Sequence, residues 1–112
     1  MPTDHSFQCD VETLADKDKF GNQVTMVRCR GRLVSDTAGE VKDVVRPLIA
    51  SGGRIVIDLA DVNHMDSSGL GALVGLKASA IKQGLCVLEF ANMTPRVLEL
   101  LRLTNLTQMF ST

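Results

Sequence analysis

Alternating apolar and polar residues mark the first two predicted strands. FQCDVET (7–13) places an apolar side chain at every second position, which is typical of a half-buried strand. A charged segment ending in the turn pair Gly21-Asn22 separates it from a second such run, VTMVRCRG (24–31). Because the connection is short, we expect the two strands to pair as an antiparallel hairpin.

The next pattern has helical spacing. Apolar residues recur at i, i+3, i+4, i+7 and i+8, at Val41, Val44, Val45, Leu48 and Ile49. Asp36 or Thr37 is the expected N-cap. Pro47 removes a backbone donor inside this segment, so we expect an irregular helix there.

Two nearly continuous apolar runs, RIVIDLA (54–60) and LCVLEFA (85–91), predict strands covered on both faces. GLGALVGLKASAIKQG (69–84), between them, predicts a helix ended by a glycine. Thr94-Pro95 opens a last helix, and LTNLTQMF (103–110) suggests a further helical turn.

The order of these elements indicates one α/β domain spanning residues 1–112. Strand–helix–strand units imply parallel pairing with right-handed crossovers. We therefore expect a mixed, mostly parallel sheet of about four to five strands, with helices packed against it and an antiparallel hairpin at its start.

Charge and hydropathy exclude several classes of function. The 112 residues carry a formal net charge of −1 and contain no basic run, which argues against nucleic-acid binding. No apolar segment approaches the roughly 18 residues that span a bilayer. MPTDHSFQCD lacks the features of a signal peptide, so we expect a cytoplasmic protein that does not contact the membrane.

The cysteines and histidines predict neither a metal site nor a cofactor. Cys9, Cys29 and Cys86 are odd in number and widely spaced, and no C-x-x-C pair occurs. We interpret them as small, reduced core side chains. His5 and His64 are too far apart to form a local metal-binding motif.

The junction HMDSSGLGAL (64–73) lies where a strand gives way to a helix. A nucleophile elbow needs G-x-S-x-G and a later histidine, and neither is present. The glycines also lack the lysine of a phosphate-binding loop. Helix capping explains Asp66 or one serine, but it does not easily explain two serines together.

Helical spacing predicts different environments for the two serines. Ser67 belongs to an apolar stripe with Leu70, Val74, Ala78 and Ile81, so we expect it to lean toward the core. Ser68 belongs to a face of small residues, with Gly71, Ala72, Gly75 and Ser79, and is the expected accessible hydroxyl. That face either packs closely within the domain or forms a flat dock for another protein.

IVIDLADVNHMDSSGLGALVGL (55–76) resembles the core of STAS domains, particularly the bacterial anti-sigma factor antagonists. Their D-L-x-x-V-x-x-x-D-S-S/T-G-L-G pattern covers Asp58 to Gly71 almost without departure. The predicted element order also matches the family's fold over most of the chain. One departure is Val34, which stands where the family's earlier G-x-L-D motif usually has aspartate.

The resemblance implies that Ser68 is the phosphoacceptor and that Asp66 is the acidic position before the pair. The unphosphorylated form would bind an anti-sigma factor, a histidine-kinase-like serine kinase, and so release a sigma factor. Phosphorylation would end the interaction, and a metal-dependent serine phosphatase would reverse it, while ATP would belong to the kinase. The expected partner-binding residues are Asp66, Ser67, Ser68, Gly69, Leu70, Gly71, Ala72 and Gly75.

Two alternatives remain open at this stage. The chain could be a regulatory or docking STAS subunit of a transporter or signalling scaffold, without a phosphorylation cycle. It could also be a small enzyme or nucleotide-binding protein using Asp58 and Asp66. The simpler explanations are a strand-end or inter-element hydrogen bond for Asp58 and a helix cap for Asp66. We expect the free domain to be a monomer.

Overall fold

A computed structural model describes residues 7–103, which contain four strands and three helices. The elements follow in the predicted order: β1 Phe7–Thr13, β2 Val24–Leu33, α1 Ala38–Ser51, β3 Gly53–Met65, α2 Ser67–Gln83, β4 Cys86–Ala91 and α3 Pro95–Leu103. The suggested helical turn at 103–110 lies, beyond Leu103, outside the described residues.

The strands form one mixed sheet in the order β1-β2-β3-β4. β1 pairs with β2 antiparallel, while β2, β3 and β4 are mutually parallel. The predicted hairpin, parallel pairings and α/β class are therefore confirmed. Helices α1 and α2 pack against each other and against the sheet, and α3 contacts α2 and β3.

The expectation that β3 and β4 are covered on both faces is wrong. In β3, Ile55, Ile57 and Leu59 are buried, whereas the residues between them are only half-buried. β4 is an edge strand whose Val87 is 42% exposed. One face of each strand contributes to an aliphatic core beneath the helices, and the other face keeps contact with solvent.

β3 also continues five residues beyond the predicted end, to Met65. β3 has two more residues than the stretch of β2 that it pairs with. Arg28 and Arg30 are two positions apart, but their partners Asp58 and Asp61 are three apart, and a second shift of the same kind follows Gly31. These β-bulges change the spacing of buried side chains from two to three. Val62 and Met65 are therefore buried despite the polar residues around them.

Ion pairs link the strands where side chains reach solvent. Arg28 pairs with Glu12 at 2.8 Å across β1 and β2. Arg54 lies between Asp18 at 2.8 Å and Glu89 at 2.5 Å, and so joins the hairpin connection, β3 and β4. The Arg54 guanidinium holds the pKa of Asp18 well below its ordinary value. These contacts help to define the pairing register of the strands.

Helix α1 runs from Ala38 to Ser51 without interruption, so the expected irregularity at Pro47 is not observed. Pro47 is exposed, which keeps its ring away from the core. The lost backbone bond leaves the carbonyl of Asp43, a solvent-exposed residue, without its usual partner from position 47. Water can satisfy an exposed carbonyl, so the helix continues.

The predicted apolar stripe of α2 is wrong. The buried residues of the helix are Gly69, Leu70, Ala72, Leu73, Leu76 and Ala80. Of the predicted stripe only Leu70 is buried, and Ile81 is 63% exposed. The buried side of α2 is centred on Leu73 and Leu76, and the close contact of Gly69 with Leu33 lies on it.

Replacing Leu73 by alanine should lower the free energy of unfolding by about 2–5 kcal/mol, because this side chain is fully buried and would leave a cavity. Ile81→Ala, on the same helix but exposed, should change it by no more than about 0.5 kcal/mol. Urea unfolding followed by circular dichroism measures both. Similar losses for the two variants would contradict the assignment of the buried face.

Candidate functional site

The start of α2 is built around the carboxylate of Asp66. Asp66 is the N-cap, with an extended backbone, and its Oδ1 accepts a hydrogen bond from the Gly69 N–H at 3.0 Å. Capping had been expected from Asp66 or from one of the serines, and the structure assigns it to Asp66. Both serine side chains are consequently free of the capping role.

The same carboxylate reaches a second segment, the loop from Leu33 to Thr37 between β2 and α1. Asp66 Oδ2 accepts from the N–H of Ser35 at 3.4 Å. One side chain therefore connects the start of α2 to the loop that follows β2. This connection was not predicted, because nothing in the local pattern around Ser35 indicates a partner 31 residues away.

The Thr37 side chain stabilises this loop through hydrogen bonds to its backbone. It is the N-cap residue of α1, yet its side chain makes no cap hydrogen bond. Its Oγ1 instead donates to the carbonyl of Arg32 at 2.6 Å and accepts from the N–H of Val34 at 3.0 Å. Because Thr37 is only 2% exposed, these bonds fix the loop conformation in a buried setting.

Gly69 is the point of closest approach between α2 and β2. A Cβ atom placed on Gly69 would lie 2.1 Å from the carbonyl oxygen of Leu33, which no real side chain tolerates. Only glycine lets the helix backbone lie directly on the end of the strand. Gly69 is accordingly buried, and glycine is required at this position for steric reasons.

The backbone donors around Asp66 stabilise its ionised form. The N–H of Gly69 contributes most to lowering its pKa below the ordinary value, with further contributions from the N–H groups of Ser35 and Ser68, while partial burial opposes the shift. His64 adds a small favourable charge interaction. The carboxylate is therefore charged throughout the neutral range and acts as a cap and brace.

Both serines are exposed, at the first and second positions of the helix. The expectation that Ser67 leans toward the core is wrong, since the buried face is centred on Leu73 and Leu76. Among residues 7–103, neither serine hydroxyl takes part in a side-chain hydrogen bond. Both are thus available to a macromolecular partner or a modifying enzyme.

The other predicted partner-binding residues divide into two groups. Gly71 and Gly75 are exposed, and a Cβ atom at either would meet nothing within 4 Å. Gly69, Leu70 and Ala72 are buried at the sheet or at α1. These three do not form part of the accessible surface, so the small-residue face is narrower than predicted and consists of Ser68, Gly71, Gly75 and the half-buried Ser79.

The exposed side of the first turns of α2 carries no formal charge. The helix has no ionisable side chain before Lys77, and that residue turns its Nζ to the carbonyl of Leu88. The adjoining loop holds Val34, which is 8% exposed, and Asp36, which is exposed. The serine surface, formed by Ser68, Gly71, Gly75 and Ser79, thus has no charged side chain of its own. Asp66 lies next to its Ser68 end, and Lys42 and Arg46 of α1 line a pocket with Gly75 and Ser79 at the other end.

The alternative sites proposed for an enzyme have structural roles. Asp58 lies within β3, and its Oδ1 accepts from the N–H of Ala60 at 2.9 Å and from Nδ2 of Asn92, just after β4, at 3.1 Å. The bond to Asn92 is the inter-element hydrogen bond anticipated for it. Over residues 7–103, no group of three or more His, Cys, Asp or Glu side chains is placed to hold a metal ion.

A cavity of about 520 Å³ lies away from the start of α2. It lies at the amino ends of the parallel strands, between the β1–β2 connection and the end of α1, and Lys17 is its one charged lining residue. Ser68 lies beyond the carboxyl end of β3, at the opposite edge of the sheet. The cavity is therefore separate from the serine surface.

Within the described range, no helix is both long enough and apolar enough to cross a membrane.

Comparison with known proteins identifies the family. The sequence profile of the STAS domain matches residues 17–112. Over 80 residues the chain is 34% identical to the anti-sigma-B factor antagonist of Bacillus subtilis strain 168, covering 71% of this chain and 72% of that protein. The chain belongs to the STAS domain family and is similar to its anti-sigma factor antagonists.

Solved structures share the fold. The crystal structure of an anti-sigma factor antagonist from Mycobacterium paratuberculosis superimposes with a TM-score of 0.74 at 23% identity, covering 98% of this chain and 87% of that one. The phosphorylated form of the Bacillus cell fate determinant SpoIIAA gives 0.63 at 17% identity, covering 93% and 87%. The STAS fold expected from the sequence is therefore confirmed.

Gly69→Ala should destabilise the protein by about 1–3 kcal/mol or more, because the new methyl group overlaps the Leu33 carbonyl and pushes α2 away from β2. Gly71→Ala, two residues on with open space, should be neutral or stabilising by up to about 1 kcal/mol. Chemical denaturation tests the pair. Equal effects would refute the close approach at Gly69.

Asp66→Ala should cost about 0.5–2 kcal/mol at neutral pH through loss of the cap, whereas Asp66→Asn should retain most of it. Folding lowers the pKa of Asp66, so the ionised carboxylate stabilises the protein at pH values above its pKa in the unfolded chain. This stabilisation is lost as the pH falls through its pKa in the folded protein. Below about pH 4, the wild type should therefore lose stability relative to Asp66→Asn. Parallel acid profiles of the two proteins would contradict this assignment.

Proposed function

We propose that this STAS domain is an anti-sigma factor antagonist controlled by phosphorylation of Ser68. Its unphosphorylated form binds a serine-kinase anti-sigma factor and thereby releases a sigma factor. The observation that carries the proposal is an exposed Ser68 at the start of α2, on the same helix face as the exposed Gly71 and Gly75. The family membership and the intact D-S-S-G-L-G motif support the same role.

Ser68 is preferred to Ser67 for two reasons, neither of which is exposure, because both side chains are exposed. Steps of three and seven from Ser68 reach Gly71 and Gly75, so its hydroxyl lies on the small-residue face. The motif also places the family's phosphoacceptor second in the pair. Ser67 instead aligns with Val74 on the neighbouring side of the helix.

The local structure is compatible with a phosphate on Ser68. The second position of a helix lies near unpaired backbone N–H groups, where an anion is stabilised by roughly 0.3–1 kcal/mol. Asp66 opposes the added charge of about −1.5 to −2, but solvent screens an exposed pair. The Asp66 cap and the buried Gly69 contact do not involve the Ser68 hydroxyl, so we expect the fold to survive modification.

A partner contact, in contrast, should be highly sensitive to this charge. A small hydroxyl buried in an interface would become a hydrated dianion on a helix turn that has no charged side chain between Ser67 and Leu76. A loss of about 3 kcal/mol at the interface weakens binding more than a hundredfold. Phosphorylation therefore switches binding without refolding the domain.

In the proposed cycle the partner enzymes catalyse the reactions, and this chain is their substrate. A histidine-kinase-like serine kinase supplies ATP binding and phosphoryl transfer to the Ser68 hydroxyl. A metal-dependent serine phosphatase removes the phosphate. Residues 1–112 act as one switch domain that presents Ser68 to each enzyme in turn, and Asp66, Ser67, Gly71 and Gly75 complete the accessible contact surface.

Mixing the purified protein with candidate kinase anti-sigma factors and ATP should give one phosphate, mapped to Ser68 by mass spectrometry. Ser68→Ala should bind the kinase whether or not ATP is present, and Ser68→Asp should bind at least about a hundredfold more weakly. Calorimetric titration measures these affinities.

Ser67→Ala is the matched control, since it removes an equally exposed neighbouring hydroxyl. It should still accept phosphate and still lose binding with ATP. Wild-type affinity in both Ser68 variants would overturn the proposal. Tight binding to a membrane-protein partner with no phosphorylation would instead favour a docking subunit.

A further inference from the structure

Two cysteines lie opposite each other at the edge of the sheet. Cys9 of β1 is the cross-strand partner of Cys29 of β2 in the antiparallel pair. Their sulfur atoms are 3.7 Å apart, and both thiols are free. A disulfide requires Sγ atoms at about 2.05 Å and Cα atoms within about 4.4–6.8 Å, a range that includes directly opposed residues of antiparallel strands.

We propose that Cys9 and Cys29 form a reversible cross-strand disulfide when a hydroperoxide oxidises the protein. The Cys9 thiolate attacks the peroxide, forming an S–O bond and releasing water or an alcohol after proton transfer. The Cys29 sulfur then attacks the Cys9 sulfenic acid, forming the S–S bond and releasing water. Two thiols are oxidised by two electrons in total, and the O–O bond of the peroxide is reduced.

The surroundings favour this order of events. Cys9 is half-buried on the edge strand and can meet a small oxidant, whereas Cys29 is 2% exposed. The hydrogen bond from Cys29 lowers the pKa of Cys9, against opposing effects of burial, Glu40 and Asp10. The pKa of Cys29 is raised, mainly by its pairing with Cys9 and by burial. Conversion of Cys9 to a neutral sulfenic acid removes the charge that keeps Cys29 protonated.

The bond would tie the edge strand β1 to the interior of the sheet. It closes a loop through the β1–β2 connection and so restricts the unfolded chain. The third cysteine, Cys86, lies on β4 at the other edge of the sheet, where burial raises its pKa, and it is not paired across the strands with either of the others. This modification is independent of the phosphorylation proposed for Ser68.

The test is controlled oxidation of the intact chain with a small excess of hydrogen peroxide. Intact-mass spectrometry should show a loss of about 2 Da, corresponding to two hydrogen atoms. Alkylation under denaturing conditions should label three cysteines before treatment and one, Cys86, afterwards. Peptide mapping should recover a cross-linked pair of peptides, one containing Cys9 and the other Cys29. Dithiothreitol should reverse the change. The melting temperature of the oxidised form should be several degrees above that of the reduced form.

Matched variants separate this pair from the remaining thiol. Cys86→Ser should form the bond as the wild type does, whereas Cys9→Ser and Cys29→Ser should both fail to lose 2 Da, roughly the mass of the two hydrogens. If Cys29→Ser does not fold because the residue is buried, Cys9→Ser, at a partly exposed position of the edge strand, still provides the test. Oxygen addition at Cys9 without a cross-link, or disulfide dimers through Cys86, would overturn the proposal.

Discussion

The contact between the Gly69 backbone and the Leu33 carbonyl is the constraint on which the serine surface depends. It brings the first turn of α2 directly onto the end of β2 and leaves no room for a side chain. Asp66 can then bridge its own helix and the Ser35 N–H, because the two backbones are already close. The side chains of Ser67 and Ser68, on this stabilised turn, are exposed to solvent, and their hydroxyls take no part in its hydrogen bonds.

The sheet sets the position of that contact. Two bulges extend β3 past the point where its hydrophobic run ends, and they place Met65 in the core immediately before the cap. β2 extends to Leu33 beside it, and the Thr37 hydroxyl closes the following loop. Strand register, loop and cap therefore act together, which explains how a surface serine is presented with a defined orientation.

Much of this architecture follows from the sequence, because each element has a clear period and clear ends. The hairpin, the parallel strands, the glycine that ends α2 at Gly84 and the proline that opens α3 are local signals. The end of β3 was missed because bulges change the spacing of its buried residues from two to three. The buried face of α2 was misassigned because Gly69 and Ala72 face the interior, while Ile81 faces solvent.

The contacts of the site itself were less predictable. The roles of Ser35 and Thr37 arise from hydrogen bonds that depend on tertiary structure, and the sequence indicated Thr37 only as a candidate N-cap. The D-S-S-G-L-G motif predicted the site at this turn through resemblance. Packing explains Gly69 of this motif and helix capping explains Asp66, whereas neither explains the two serines.

A phosphate at Ser68 is proposed to change the surface of the domain and to leave its fold unchanged. The most direct measurement compares amide NMR spectra of the chain with serine and with phosphoserine incorporated at position 68. We predict shifts confined to the first turns of α2 and the Leu33–Thr37 loop, with the core of the sheet unaltered. Shifts spread through β1 and β4, or loss of dispersed signals, would contradict a switch that works without refolding.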